Sequence, residues 1–163
     1  MEMPRIEVIT YPEGCVVGMK IQTQAMANEI PKLWEILGQR RAEIRDLDES
    51  TPVAYGISIM MPDFEQTKVF DYIAGFPVMG KPDELPEGMD SFNIPAGVYV
   101  MVVCPNLASI PQAYKAIYNR WLPQSDYELD LSNGSFCFEL YGEEFDPGSG
   151  SGKFFIYVPI RKK

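Results

Sequence analysis

The feature that most constrains this chain is that its landmarks occur twice. Tyr11-Pro12-Glu13-Gly14 is matched by Ile94-Pro95-Ala96-Gly97, Ile30-Pro31-Lys32-Leu33-Trp34 by Ile110-Pro111-Gln112-Ala113-Tyr114, and Lys68-Val69-Phe70-Asp71-Tyr72 by Lys153-Phe154-Phe155-Ile156-Tyr157. The three pairs keep the same order at separations of about 80 to 85 residues. Each is weak alone, but together they argue for an internal duplication. Two such halves pack naturally about a pseudo-twofold axis. The groove along that axis is where a ligand site forms, because helix side chains need not fill it.

Each half reads as strands around one helix. An apolar, β-branched segment from Arg5 to Tyr11, a turn at Pro12-Glu13-Gly14 and a strand from Cys15 to about Thr23 predict a hairpin. Met26, Ile30, Leu33, Leu37 and Ile44 recur at helical steps from about Asn28, with Pro31 in the first turn, where a missing N–H costs little. That helix ends before Ser50-Thr51-Pro52, and strands from Val53 to Met60 and Thr67 to Phe76 follow, joined by a loop with Pro62 and Asp63. The stretch from Pro77 to Gly88 has no apolar period and reads as a connector. The pattern then begins again with strands around Ser91 to Ile94 and from Val98 to Cys104. The second helix is introduced by Ser109 as N-cap with Gln112 at the third helical position. It buries Ile110, Ala113, Tyr114, Ile117 and Trp121 and stops at Pro123. A strand around Glu139, a Gly/Ser-rich loop from Glu143 to Gly152 and a strand from Lys153 to Ile160 complete the half. The expectation is one α+β domain over residues 1–163. It is a tandem βαββ pseudo-twofold repeat whose antiparallel sheets form a central ligand cleft, with the helices outside. The first repeat spans about 1–77, the connector about 78–88 and the second repeat about 89–163.

Composition removes several function classes. With 163 residues, 46% of them hydrophobic, the chain can bury one good core or two small ones packed together. A net charge of −9 with 14 scattered Lys and Arg argues against direct nucleic-acid contact. The start MEMPRIEV lacks the features of a signal peptide, and no apolar run approaches the roughly 18 residues of a membrane span, so a soluble, cytoplasmic protein without a membrane partner is expected. Cys15, Cys104 and Cys137 are odd in number and widely spaced, which fits neither a disulfide framework nor a CxxC motif. The chain contains no histidine. That excludes Ser-His-Asp and Cys-His nucleophilic machinery and the usual zinc-ligand sets, so no metal or cofactor is expected, and acid-base work falls to Glu, Asp, Tyr, Lys or Cys.

The stretch from Gly134 to Tyr141, GSFCFELY, places one carboxylate, Glu139, in an apolar and aromatic strand. Alternation puts Phe136, Phe138 and Leu140 on one face, which reads as core, and Ser135, Cys137, Glu139 and Tyr141 on the other. An acid between a thiol and a phenol is how a pocket lining looks. In the duplication Glu139 lies opposite Ala54, Gly56 and Ser58, whose small side chains leave space before the carboxylate.

The segments IPAGVYVMVV, AYKAIYNRWLPQSDYE, CFELYGEEFD and the terminal FFIYVPIRKK resemble the GyrI-like small-molecule-binding domains, the fold of the effector-binding domains of AraC-type and MerR-type multidrug regulators. The resemblance covers nearly the whole chain. It implies an aromatic cleft for lipophilic, often cationic, compounds with Glu139 at its floor, in a stand-alone sensor or sequestering protein. Other members of the resembled family are hydrolases of cyclopropane-containing cytotoxins, and some are described as DNA gyrase inhibitors. The expected ligand-binding residues are Glu139, Tyr99, Tyr141, Tyr55, Met101, Tyr118, Trp121 and Phe64. Tyr99 and Met101 are assigned to the cleft by alternation with Val98, Val100 and Val102, which face the helices. Tyr118 and Trp121 are on the second helix, Tyr55 and Tyr141 flank the groove, and Phe64 lies on a loop able to close over it. Two readings follow. In a binding module, ionised Glu139 pairs with a ligand cation and aromatic faces add cation–π contact. In a hydrolase, Glu139 acts as general acid-base with Tyr141 or Tyr99. A transcriptional role requires a separate regulator protein.

Overall fold

The computed structural model describes residues 4–24 and 29–163. Met26, read above as the first apolar position of the helix, lies outside the described residues. In chain order the elements are β1 (Ile6–Tyr11), β2 (Gly14–Gln24), α1 (Glu29–Arg40), β3 (Ala54–Met60), a one-turn α2 (Phe64–Thr67), β4 (Val69–Val78), β5 (Asp90–Ile94) and β6 (Gly97–Asn106). They continue as α3 (Ile110–Lys115), a wide π turn (Ala116–Trp121), α4 (Leu122–Gln124), β7 (Tyr127–Leu129), β8 (Phe136–Tyr141) and β9 (Ser151–Lys162). The strands form one antiparallel sheet in the order β1-β6-β9-β8-β3-β4-β2-β5, with β7 added beside β9. Read outward from the central β3–β8 ladder, the two halves repeat each other. On one side lie β4, β2 and β5, and on the other β9, β6 and β1.

That order overturns the expected hairpins. β1 pairs with β6 and β5 pairs with β2, so each half gives its first strand to the other. The physical reason is in the loops. A two-residue hairpin needs a turn with positive φ at its first central position, which proline cannot adopt. Pro12 and Pro95 occupy those positions, and neither Gly14 nor Gly97 has a positive φ. The chain therefore passes from one ladder to the next. The ladders also shift the third landmark: Val17 pairs with Phe76 and Val100 with Val158, whereas setting Lys68 against Lys153 would put Phe76 against Arg161.

The sheet is curled, and its two faces are filled differently. On the face without helices the exchanged strands fold back over the centre, so Tyr11 of β1 touches Phe138 and Phe92 of β5 touches Phe136. Ile57, Ile73, Tyr99, Met101 and Tyr157 complete that core. On the other face each helix covers its own half. Leu33 and Leu37 of α1 pack on Val17, Phe70, Tyr72 and Ala74, and Ala113 and Ile117 pack on Val100, Val102, Phe154 and Ile156. The second helix departs from the sequence expectation at both ends. Ser109 makes no capping bond with its side chain. Instead Asn106 accepts from the Ser109 N–H through Oδ1, because a short 3-10 turn precedes α3. The helical path also continues past Pro123 to Gln124. A proline ring collides with the carbonyl four residues back in a regular helix, and the wide turn ahead of Pro123 relieves that collision.

Candidate functional site

Between the two helices, above the β3–β8 ladder, lies a cleft of about 1240 Å³. Trp34 and Arg41 from the α1 side, Phe70, Tyr72 and Phe76 of β4, Ser58 of β3, Tyr114 of α3, Glu139 and Tyr141 of β8 and Phe145 line it. It opens here because α1 packs chiefly on β2 and β4 while α3 packs chiefly on β6, so neither helix is centred on the ladder between them.

Glu139 is buried at the floor of this cleft. Tyr141 lies two residues along the strand, hence on the same face, and its hydroxyl donates to Glu139 Oε1 at 2.5 Å. Burial pushes the Glu139 carboxyl up to about 7, against the bond from Tyr141, which lowers it. None of the ion pairs among the described residues includes Glu139. Gly56 pairs with Glu139 across the ladder. The space its missing side chain leaves is taken by the Tyr72 hydroxyl, which a Cβ on Gly56 would strike. Tyr72 in turn accepts from Trp34 Nε1 at 3.0 Å, and burial followed by the nearby Glu139 charge holds its phenol well above the ordinary value. The Trp34 ring stands edge-on to Tyr141 at 6.1 Å and to Phe76 at 6.5 Å. The Arg41 guanidinium lies 5.2 Å over Phe76. Burial pushes Cys137 up to about 12 and Cys104 up to about 11, so both stay protonated at neutral pH and neither supplies a thiolate nucleophile. Among the described residues no group of three His, Cys, Asp or Glu side chains is placed to hold a metal.

Of the residues singled out from sequence, the structure brings Glu139 and Tyr141 together in the cleft. Tyr99, Met101 and Tyr55 lie on the opposite face, in the aromatic core, with the Tyr99 hydroxyl donating to the Pro95 carbonyl at 2.6 Å and the Tyr55 hydroxyl 2.6 Å from that of Tyr11. The alternation expected on β6 has the correct phase, but Tyr99 and Met101 face the aromatic core and not the cleft. The helix-facing valines share their face with Glu139, because cleft and helices occupy the same side of the sheet. Tyr118 stacks on Tyr114 and Trp121 on Tyr127, both against the core beneath α3 and outside the cleft lining. Phe64 packs edge-on to Phe70 at 6.3 Å and does not line the cleft. The walls that sequence reasoning did not assign are Trp34, Phe70, Tyr72, Phe76, Tyr114 and Phe145. A signal existed for Trp34 and Tyr114, since the duplication sets them at the same helical position in the two halves.

A curled antiparallel sheet whose two helices flank a carboxylate-floored aromatic cleft defines a GyrI-like effector-binding domain. The chain belongs to the family of integron-associated effector binding proteins, whose model matches residues 7–160. The fold is shared with an integron cassette protein from the mobile metagenome of Vibrio cholerae, at a TM-score of 0.63 and 18% identity over 96% of this chain and 95% of that one. It is shared also with SAV2435, solved bound to tetraphenylphosphonium, at 0.69 and 14% identity over 96% and 94% of the two chains. The C-terminal domain of EcmrR aligns at 0.72 and 17% identity over 99% of this chain and 100% of that one. No curated protein sequence matches the chain. Among the described residues no helix is long and apolar enough to cross a membrane.

Proposed function

We propose that the cleft binds lipophilic organic cations, with Glu139 as the anion and Trp34, Phe76 and Tyr141 as aromatic faces around the ligand. One observation carries this reading: a carboxylate is buried on the cleft floor with a hydrogen bond from Tyr141 and no cationic partner among the ion pairs described. Its raised pKa means that ionisation at the cleft floor costs about 3 kcal/mol relative to water. A ligand cation removes that cost by supplying the missing charge, and the rings add cation–π attraction. The tetraphenylphosphonium held by SAV2435 supports the same chemistry. In this reading the domain acts as a cytoplasmic sensor or sequestering protein, and any transcriptional output runs through a separate regulator.

The test is Glu139→Gln, which keeps shape and hydrogen-bonding capacity but removes the charge. Titration with a cationic dye is expected to show affinity weakened about 10- to 100-fold, since a charge-assisted contact is worth roughly 1.5–3 kcal/mol, while a neutral dye is held equally by both proteins. Equal cation affinities would show that the carboxylate is structural.

A carboxyl group near pH 7 is also suited to general acid-base work, which supports a second reading as a hydrolase of electrophilic compounds. Tyr141 is its available partner, since Tyr99 lies on the far face. Mass analysis of a cyclopropane-containing electrophile after incubation separates the two. An intact compound supports binding alone, and addition of water supports catalysis.

A further inference from the structure

The hydrogen-bond inventory of the cleft floor contains an imbalance. Indole nitrogen is a donor only, so in the Trp34–Tyr72 bond the Tyr72 oxygen must be the acceptor, and the phenolic proton is left to be placed elsewhere. No acceptor for that proton occurs among the described hydrogen bonds, although Tyr72 is buried and lines the cleft. Its hydroxyl lies over Gly56, the cross-strand partner of Glu139. The Tyr141 hydroxyl, by contrast, is committed to Glu139 Oε1. The floor thus presents two unlike groups side by side: a carboxylate that needs a positive charge, and a phenol with a proton to donate.

We infer that Tyr72 is a specificity-determining residue whose hydroxyl donates to a neutral acceptor oxygen or nitrogen on the ligand, so that the cleft selects lipophilic cations carrying an ether, carbonyl or similar acceptor beside the charged centre. Trp34 is the positioning residue. Its N–H occupies the phenol oxygen and turns the proton toward the cleft. A buried donor left without a partner is costly, so an acceptor-bearing ligand gains over a hydrocarbon of the same shape. This inference rests on the proposed cation site, and its test separates the two.

Four probes suffice: benzyldimethyl(2-methoxyethyl)ammonium, benzyldimethylbutylammonium, and the two neutral analogues with carbon in place of the charged nitrogen. Within each pair an ether oxygen replaces a methylene. The cation-to-neutral ratio reads Glu139 and the ether-to-butyl ratio reads Tyr72. In the parent protein the ether member of each pair is expected to bind about tenfold more tightly. Tyr72→Phe should bring that ratio to about one without changing the cation-to-neutral ratio, and Glu139→Gln should do the reverse. Trp34→Phe, a second variant in case Tyr72→Phe does not fold, should lower the ether preference while Tyr72 itself is intact. An ether-to-butyl ratio of one in the parent, or a preference that survives Tyr72→Phe, overturns the inference even if both cations bind. A cation-to-neutral ratio of one with a strong ether preference overturns the Glu139 reading and leaves Tyr72 standing. Failure of all four probes to bind overturns both.

Discussion

Two aromatic clusters lie on opposite faces of the sheet around the central β3–β8 ladder, and they behave oppositely. Behind the ladder, Phe138 stacks on Tyr157 at 4.8 Å, Tyr11 and Tyr99 close on both rings, and the Tyr99, Tyr11 and Tyr55 hydroxyls bond to a carbonyl or to each other. In front, Trp34, Tyr72 and Tyr141 surround a carboxylate and an open volume. Residue chemistry hardly distinguishes the two sets, which are both rich in tyrosine. The difference is what covers them. The exchanged strands close over the back, whereas the two helices hold apart over the front.

The comparison is broken most severely from the closed side. Phe138→Ala is expected to destabilise the domain by about 3–5 kcal/mol in a denaturant melt, since a fully buried ring leaves a cavity that its stacked neighbours cannot refill. The folded fraction should still bind a cation, because Phe138 points away from the cleft.

On the open side the expected effect depends on pH. The Glu139 carboxyl stands at about 7 in the folded chain against an ordinary value of 4.5, so the folded state holds its proton more tightly than the unfolded state does. Stability from this group is therefore complete below about pH 4.5 and is lost as pH rises through 7. A quaternary ammonium, whose own charge is fixed, should bind more tightly as pH rises from 5 to 8, by roughly tenfold or more. Glu139→Gln should flatten that profile and be more stable than the parent at pH 8 by about 3 kcal/mol, with a gain of less than about 1 kcal/mol at pH 5. A parent whose affinity for the ammonium is level across this range would place Glu139 outside the binding event.

A smaller change sharpens the boundary between the faces. Gly56→Ala puts a methyl group where the Tyr72 hydroxyl lies and should cost about 1–3 kcal/mol by overpacking. It should also shift Tyr72 and so weaken the ether probe more than the butyl probe. Smallest is Tyr99→Phe, which removes the bond to the Pro95 carbonyl and is expected to cost about 1 kcal/mol in a thermal melt, with cation affinity unchanged. A loss of affinity there would mean that the two clusters are coupled through the ladder.

Much of this was legible in the sequence, for identifiable reasons. Alternation on β8 separates Phe136 and Phe138 from Cys137, Glu139 and Tyr141 whatever the rest of the chain does, and those sets do face opposite sides. The small residues expected before the carboxylate are there as well, with Gly56 opposite Glu139. Gly56 makes room for Tyr72, however, and not directly for a ligand. That could not be read, because Tyr72 comes from the neighbouring strand. Pro12 and Pro95 carry a readable signal that points away from the expected hairpins. They mark turns, but turns of a kind that cannot close a two-residue hairpin.

What the sequence by itself determined is therefore local and periodic: the duplicated landmarks, the strand and helix types, the face on which Glu139 lies, and the absence of histidine chemistry. These follow from backbone geometry, in which side-chain direction repeats every two or 3.6 residues. Only the tertiary structure decided which aromatic cluster became core and which became cleft. Periodicity states that Tyr99 and Val100 face opposite ways, but not which side the helices will cover or where an exchanged strand will fold back. Those outcomes depend on the curl of the whole sheet and on α1 and α3 each settling on its own half, leaving the carboxylate of Glu139 buried at the floor of the cleft between them.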